Sequence, residues 1–202
     1  MKKVFLAIFL LACLAGCKKH NGDQNTAQVH VFKGITVTDD IGITMGTWGN
    51  EDGDWKTDST WTSAEFNLLN FPDTISLEGT YVKDTIGWDS VRGIHERPCN
   101  LVVVFPNPVA DYLALLYKGL GLLKFKAVIV DKYYNRLLTF CCKDSSAYFH
   151  PDFSDTTKFL NGTIYRMYYS LSAKDSLNFY KGHGDILICR EHALQDCQKY
   201  VP

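Results

Sequence analysis

The sequence predicts an all-β fold in which two β-sheets pack as a sandwich. Short apolar runs rich in Val, Ile, Tyr and Phe recur along the chain, and residues typical of turns, chiefly Gly, Asn, Asp and Pro, separate them. Helical features are confined to two short segments. The short intervals between the runs favour a sandwich over a barrel or an α/β fold.

In the N-terminal half, the pattern predicts strands and one helix. Residues 29–38 begin as an alternation of apolar and polar side chains and continue in β-branched residues. Thr62 and Glu65 have the spacing of a capping box, so we expect a short helix near residues 62–70 that ends before Pro72.

The C-terminal half is more strongly β in character. Residues 101–105 form a continuous apolar run, typical of a strand covered on both faces, and Pro106 and Pro108 end it because proline cannot donate to a ladder. Asn135, in a hairpin-length loop, is a residue that tolerates positive φ. The tail at 190–199 lacks Gly and Pro and is a candidate helix. Further strands are predicted at residues 112–117, 125–130, 136–140, 163–171 and 185–189.

The N-terminus has the pattern of an export signal. Residues 1–16 contain two lysines, an apolar run from Val4 to Leu14 and then small residues, and the run is too short for a stable membrane span. The end of this segment, Leu14-Ala-Gly-Cys17, resembles the lipobox of bacterial lipoproteins. That resemblance implies cleavage before Cys17 and its lipidation, so that acyl chains hold the mature chain to a membrane.

The mature chain is expected to divide into a tether and a folded part. Without Lys2 and Lys3 it keeps 19 basic residues against 22 acidic ones, a formal net charge of −3 that gives no electrostatic basis for nucleic-acid binding. Lys18 and Lys19 form a basic patch beside the lipid that suits phospholipid headgroups. The predicted divisions are a signal peptide (1–16), a lipidated tether (17–28), an N-terminal β-rich region packed on the sandwich (29–100), and the sandwich with its disulfide-pinned tail (101–202).

Five cysteines remain beyond the signal and the lipid site. An exported chain meets oxidising conditions in which disulfides form, and an odd number leaves one thiol over. Residues 141 and 142 point to opposite faces if they lie in a strand, so only one of them can share a given partner. The candidates are Cys99, Cys141, Cys142, Cys189 and Cys197, and we expect bridges from two of the first three to Cys189 or Cys197.

Three blocks of the C-terminal half resemble the C-terminal sorting domain of cargo proteins of the bacterial type IX secretion system. They are Phe105-Pro-Asn-Pro-Val-Ala-Asp-Tyr-Leu113, residues 127–138 and residues 160–169. In the second block, Asn135 stands where that family usually has glycine. The resemblance implies an immunoglobulin-like β-sandwich. It also implies a sorting role, which a lipid anchor would make redundant.

Six triplets consist of Asp, then Ser or Thr, then an apolar residue or Thr. They look like the O-glycosylation acceptor motif of exported proteins in Gram-negative bacteria that possess that secretion system. The alternative is that Asp-Ser and Asp-Thr pairs simply form turns and strand starts. The candidate acceptors are Ser59, Thr74, Thr85, Ser90, Thr156 and Ser176.

Two further patterns suggest binding sites within residues 48–88. Asn50, Asp52 and Asp54 place oxygen atoms around a glycine, partly as in a calcium loop. The bidentate glutamate that closes such a loop is missing, so an acidic hairpin turn fits better than a metal site. Four tryptophans crowd around this loop, either as a sugar-stacking platform or as core residues. They are Trp48, Trp55, Trp61 and Trp88.

No motif for a nucleophile with its base, a zinc protease or a phosphate-binding loop is present, so the sequence predicts a protein that is not an enzyme and has no cofactor. We expect a lipid-anchored cell-envelope protein of a Gram-negative bacterium, on the periplasmic side of the outer membrane rather than the cell surface. Its role would be structural or would consist of binding a protein or a glycan. The alternatives are a carbohydrate-binding or carbohydrate-processing surface lipoprotein that uses the tryptophan-rich region, and a type IX secretion cargo.

Overall fold

The computed structural model describes residues 29–50, 54–58, 60–73, 80–82, 101–173 and 180–202. Strands in antiparallel sheets dominate these residues, which confirms the predicted all-β class. None of the described helices is long and apolar enough to cross a membrane. The elements are β1 (Gly34–Thr38), β2 (Thr44–Gly49), α1 (Ser63–Leu68), β3 (Thr80–Val82), β4 (Leu101–Phe105), β5 (Ala114–Val130), β6 (Arg136–His150), β7 (Ile164–Ala173), β8 (Tyr180–Leu187), α2 (Leu194–Cys197) and a 3-10 turn at Gln198–Tyr200.

The described strands form two antiparallel sheets. β1 and β2 make a two-stranded sheet, and the other six strands make a second sheet in the order β3-β6-β5-β7-β8, with β4 paired to β5. β4 pairs with the first part of β5 and β7 with its second part. The small sheet packs on the large one through a hydrophobic cluster that includes Ile35 and Val37 of β1 and Leu187 of β8.

β5 runs through a stretch that the sequence pattern divides in two. The predicted strands at 112–117 and 125–130 belong to one 17-residue strand, which continues through the two glycines between them. Its pairing with β6 changes register near those glycines, an irregularity that glycine permits within a strand. β6 likewise extends to His150, well beyond the predicted end at residue 140.

The main hydrophobic core lies on the inner face of the six-stranded sheet. In β5, Ala127 and Ile129 face this core, whereas Val128 and Val130 face outward and are covered by Leu68 of α1. This stretch is therefore apolar on both faces. The large core side chains with almost no exposed surface, each worth about 2 to 3 kcal/mol relative to full exposure, are Tyr117, Phe125, Phe140, Phe149, Phe153, Phe159 and Tyr169.

Helix α1 begins as predicted. The Glu65 N–H donates to the Thr62 hydroxyl at 3.3 Å, and the Thr62 N–H donates to the Glu65 carboxylate at 2.7 Å, which completes the capping box. Beyond the end of the helix at Leu68, the Lys126 ammonium pairs with the Asp73 carboxylate at 2.9 Å. The helix Ser63–Leu68 and its capping box confirm the predicted helix near residues 62–70.

In the turn between β5 and β6, the residue with positive φ is not the predicted one. Tyr134 has a φ of +63°, whereas Asn135 has no positive φ. The Asp131 carboxylate accepts the backbone N–H of Tyr133 at 2.8 Å and that of Asn135 at 2.9 Å, and the Asn135 amide donates to it at 2.8 Å. Because these bonds fix the conformation of Asn135, Tyr134 is the residue of the turn that adopts positive φ.

The described disulfide lies within the C-terminal tail. Cys189 and Cys197 are bonded to each other, whereas Cys141 and Cys142 are buried and take no part in this disulfide. The expected bridges from Cys141 or Cys142 to the tail are therefore wrong, because β6 is separated from β8 by β5 and β7. The pinning of the tail helix is confirmed, and Cys142 alone of the two thiols belongs to the main core. Cys99 lies outside the described residues.

Candidate functional site

The outer face of strands β7 and β8 carries polar and charged side chains, whereas the inner face of the same strands is apolar. Arg166 of β7 lies opposite Asp185 of β8, and Tyr168 lies opposite His183. Between them, Met167 faces the main core. Helix α1 contacts this outer face, where the Tyr168 hydroxyl donates to the Glu65 carboxylate at 3.0 Å. The face is thus a covered polar layer rather than an open surface.

Arg166 and Asp185 form a buried ion pair with two parallel hydrogen bonds. The Arg166 Nε donates to Asp185 Oδ1 at 2.6 Å, and its Nη2 donates to Oδ2 at 2.7 Å. The two residues are only 7% and 2% exposed. Loss of either one would leave an uncompensated charge in the interior, so the pair ties β7 to β8.

Asp54 adds a second buried carboxylate to this layer. Its Oδ1 accepts the Asp185 N–H and its Oδ2 accepts the Thr36 N–H, both at 2.9 Å. Burial and the neighbouring Asp185 charge raise the pKa of Asp54 to about 7, although the two hydrogen bonds lower it. The Asp54 carboxylate therefore joins β1 to β8 and changes its charge near neutral pH.

The weak calcium candidate is not supported by these positions. Both Asp54 oxygens already accept backbone hydrogen bonds, and the N–H of the exposed Asn50 donates to the Lys33 carbonyl. Asp52 lies outside the described residues. In the part of the chain that the structure describes, no three His, Cys, Asp or Glu side chains are grouped to hold a metal ion.

His183 and Asp58 form another pair on the same face. The His183 Nδ1 lies 2.7 Å from Asp58 Oδ2, and the Trp61 Nε1 donates to that oxygen at 2.7 Å. Burial lowers the pKa of His183, but the hydrogen bond and charge of Asp58 outweigh it and raise this pKa overall. The pair holds residues 54–58 against β8, as does the bond from the Trp55 N–H to the His183 carbonyl.

Trp55 packs against the sheet in a site that glycine makes possible. Its indole stacks on Tyr169, with ring centroids 6.4 Å apart and planes 10° apart. A Cβ atom at Gly184 would overlap the indole ring of Trp55, so only glycine allows this close approach.

The other described tryptophans also pack against hydrophobic clusters. Trp48 is partly buried beside the cluster between β1 and β8, and Trp61 meets Tyr168 edge-on with centroids 5.5 Å apart. Trp88 lies outside the described residues. Trp48, Trp55 and Trp61 are thus each partly buried against a hydrophobic cluster.

Asn107, between the two prolines, is a polar residue whose role the sequence pattern did not reveal. It is fully buried. Its Nδ2 donates to the Thr36 carbonyl at 2.7 Å and to the Asp185 carbonyl at 2.8 Å, and its Oδ1 accepts the Leu187 N–H at 3.1 Å. The side-chain amide thus bonds to β8 as a peptide group of a neighbouring strand would.

Asn107 is part of a longer cover over the outer edge of β8. The Val109 N–H donates to the Leu187 carbonyl at 2.9 Å, and the Cys189 N–H donates to the Val109 carbonyl at 2.7 Å. Nearer the start of the strand, the Asp58 N–H donates to the Lys181 carbonyl at 2.9 Å. An edge that is paired in this way does not offer a template to another chain.

A cavity of about 230 Å³ lies at one end of the polar layer. The His30 imidazole on its wall packs edge-on against Phe32, at 4.8 Å between centroids. His30 Nε2 is buried and has no hydrogen-bond partner among the residues that the structure describes. Burial and the Arg166 charge lower the pKa of His30 to about 4. The lining residues are Val29, His30, Val31, Lys33, Tyr134, Arg166 and Asp185.

Thr156 is the described member of the six glycosylation candidates, and it is exposed. The neighbouring Asp155 carboxylate accepts the Thr157 N–H at 2.9 Å and its hydroxyl at 2.7 Å, an arrangement typical of a turn. This geometry accounts for the Asp-Thr pair without a glycan and leaves Thr156 accessible to one. The candidates outside the described residues are Ser59, Thr74, Thr85, Ser90 and Ser176.

The sequence pointed to the tryptophans and the acidic loop, not to Arg166, Asp185, His183 and His30. Arg166 was the detectable signal, because a lone cation inside the apolar strand of residues 164–171 needs a partner. No known protein family model, characterised protein sequence or solved structure matches this chain.

Proposed function

We propose that this chain is a lipid-anchored cell-envelope protein whose β-rich domain works by binding rather than by catalysis. The observation that carries the binding role is the cavity beside the Arg166–Asp185 pair, with His30 among its lining residues. Cavities with a few convergent polar groups are the usual form of small-ligand sites. The membrane part of the proposal rests on the sequence Leu14-Ala-Gly-Cys17.

The position of the cavity supports a link between the two parts of the proposal. Val29 and Val31 line it, and the adjacent His30 N–H donates to the Lys132 carbonyl at 2.8 Å. The tether of residues 17–28 has twelve residues and spans at most about 40 Å. A lipid on Cys17 would therefore keep the cavity close to the membrane surface.

Lipidation is tested with Cys17→Ala in the native host. We expect labelled palmitate incorporation and membrane association to be lost, because the acyl chains have no other attachment site. Cys13→Ala is the matched control, since it removes a thiol from the signal but leaves the lipobox intact. Membrane association that persists in Cys17→Ala would overturn the anchor.

The same variant separates the two alternative functions. A type IX cargo would be exported regardless of Cys17, whereas an anchored protein would be released from the membrane. The packing of Trp48, Trp55 and Trp61 supports a core role over a sugar-binding platform. Carbohydrate binding that quenches tryptophan fluorescence would favour the alternative instead.

A further inference from the structure

We propose that the end of the domain where the tether enters the fold is a membrane-contact surface, which lies against the headgroup region of the bilayer that holds the lipid anchor. This surface, termed the tether-side surface, consists of the exposed residues Val29, Val31, Lys132 and Tyr133. The inference rests on the lipid anchor proposed above and adds the orientation of the domain on the membrane.

The first described residues expose apolar side chains and turn a histidine inward. Exposed and half-buried positions alternate over residues 29–33, so that Val29 and Val31 are 48% and 71% exposed while His30 between them is half-buried. The His30 ring packs edge-on against Phe32, at 4.8 Å between centroids. In a segment that meets only water, the valines would be expected inside and the histidine outside. The reversed order suits a surface that meets an interfacial environment.

The turn between β5 and β6 extends this surface. The His30 N–H donates to the Lys132 carbonyl at 2.8 Å, and the rings of His30 and Tyr134 are 6.4 Å apart, so residues 29–31 lie directly beside the turn. Tyr133 is 51% exposed, and the Lys132 ammonium lies 5.1 Å from the centroid of its ring. Tyrosine and lysine both combine an apolar body with a polar tip, which suits them to the boundary between hydrocarbon and headgroups.

A second group of exposed apolar side chains lies at the other end of the small sheet. It consists of Ile41, Ile43 and Met45, in and beside the loop that joins β1 to β2. At about 3.3 Å for each residue of strand, β1 separates the two groups by roughly 20 Å. A flexible tether of twelve residues has a root-mean-square length of about 20 Å. The tether therefore keeps Val29 nearer to the bilayer than this loop and favours contact through the tether-side surface.

The tether also allows a small surface to be effective. Two valines and one tyrosine offer far less area than a stable protein interface, so the domain would not stay on a bilayer through them alone. A short flexible linker gives the attached domain a high effective concentration at the membrane, which makes a weak contact intramolecular. We therefore expect the contact in the lipidated chain.

The test places the photocrosslinking residue p-benzoylphenylalanine at position 31, 133 or 45 of the full lipidated chain, in vesicles of phosphatidylethanolamine and phosphatidylglycerol. After irradiation, mass spectrometry of the intact protein measures the fraction that carries a phospholipid adduct. We expect at least about fivefold more adduct at positions 31 and 133 than at 45, because the tether holds the first two near the headgroups. Position 45 is the matched control, since Met45 is apolar and 64% exposed on the same small sheet.

A pair of substitutions tests whether the apolar contact itself is needed. Val31→Asp places a charge in the tether-side surface, so we expect the adduct at position 133 to fall severalfold. Met45→Asp introduces the same charge at the other end of the small sheet and should leave that adduct unchanged. Both positions are exposed, so neither substitution disturbs the core.

The outcomes separate the surface from the anchor. Similar yields at the three positions, or a larger yield at 45, overturn the proposal, as does an equal effect of Val31→Asp and Met45→Asp. Labelled palmitate is measured on the same protein. Palmitate together with similar yields contradicts the contact surface alone, whereas the absence of palmitate contradicts the anchor and the contact that depends on it.

Discussion

Both faces of β7 and β8 are buried, but apolar packing stabilises the inner face and specific polar pairs stabilise the outer face. On the inner face, Met167 and Tyr169 belong to a large apolar cluster, so the stability of this face is distributed over many side chains. On the outer face, Arg166, Asp185 and His183 depend on individual partners at defined distances. The inner face therefore specifies the fold robustly, whereas the outer face is sensitive to single atoms and to pH.

The largest expected effect on the free energy of unfolding is that of removing Asp185 from the outer face. Asp185→Ala leaves the Arg166 guanidinium buried without its partner, and we expect the free energy of unfolding to fall by about 4 kcal/mol. Met167→Ala, on the inner face, should cost about 3 kcal/mol by forming a cavity. Urea unfolding measures both.

The double variant Arg166→Met with Asp185→Leu provides the control for the ion pair. Because it removes both charges, we expect it to recover most of the stability that Asp185→Ala loses. If the double variant is as unstable as Asp185→Ala, the loss comes from packing and the comparison fails.

A smaller effect is the dependence of stability on pH that the buried Asp54 gives to the outer face. Its pKa is raised from 3.8 to about 7, so the folded state holds a proton that the unfolded state releases, and the stability it contributes is lost as pH rises towards 7. Between about pH 5.5 and about pH 8, the stability advantage of the wild type over Asp54→Asn should shrink by roughly 2 kcal/mol. Chemical denaturation at a series of pH values measures this difference, in which the contribution of His183 cancels. A difference that does not change with pH would contradict the prediction.

The smallest expected effect is at His30. His30→Phe keeps an aromatic ring and removes a buried Nε2 that has no hydrogen-bond partner among the described residues, so we expect a gain of about 1 kcal/mol in the free energy of unfolding. The gain should grow as pH falls from 6.5 to about 4, because the lowered pKa of His30 makes the wild type lose stability over that range. Thermal unfolding measures this gain. The control is His192→Phe, which changes an exposed histidine and for which we expect no change in the free energy of unfolding. A loss of stability in His30→Phe would mean that the nitrogen is satisfied.

Local signals in the sequence were sufficient for local structure. The capping box of Thr62 and Glu65 involves atoms three residues apart, and the strand that ends at Phe105 is closed by the proline next to it. The immunoglobulin-like comparison, the sorting role and the lipid anchor remain predictions.

The features that were missed depend on distant parts of the chain. Asn107 bonds to Leu187, eighty residues away, and Asp54 bonds to Asp185, 131 residues away. No periodicity in a window of the sequence can reveal such pairs. The turn at Tyr134 was missed for another reason, because the Asp131 carboxylate decides which residue takes the positive φ.

The neighbour of Asn107 has a consequence for the chemical durability of the protein. Asparagine commonly deamidates when the nitrogen of the next peptide bond attacks the side-chain amide and closes a five-membered ring. Here the next residue is Pro108, whose peptide nitrogen carries no hydrogen to lose in that cyclisation. The amide that completes the edge of β8 is thus protected from the usual route of asparagine deamidation.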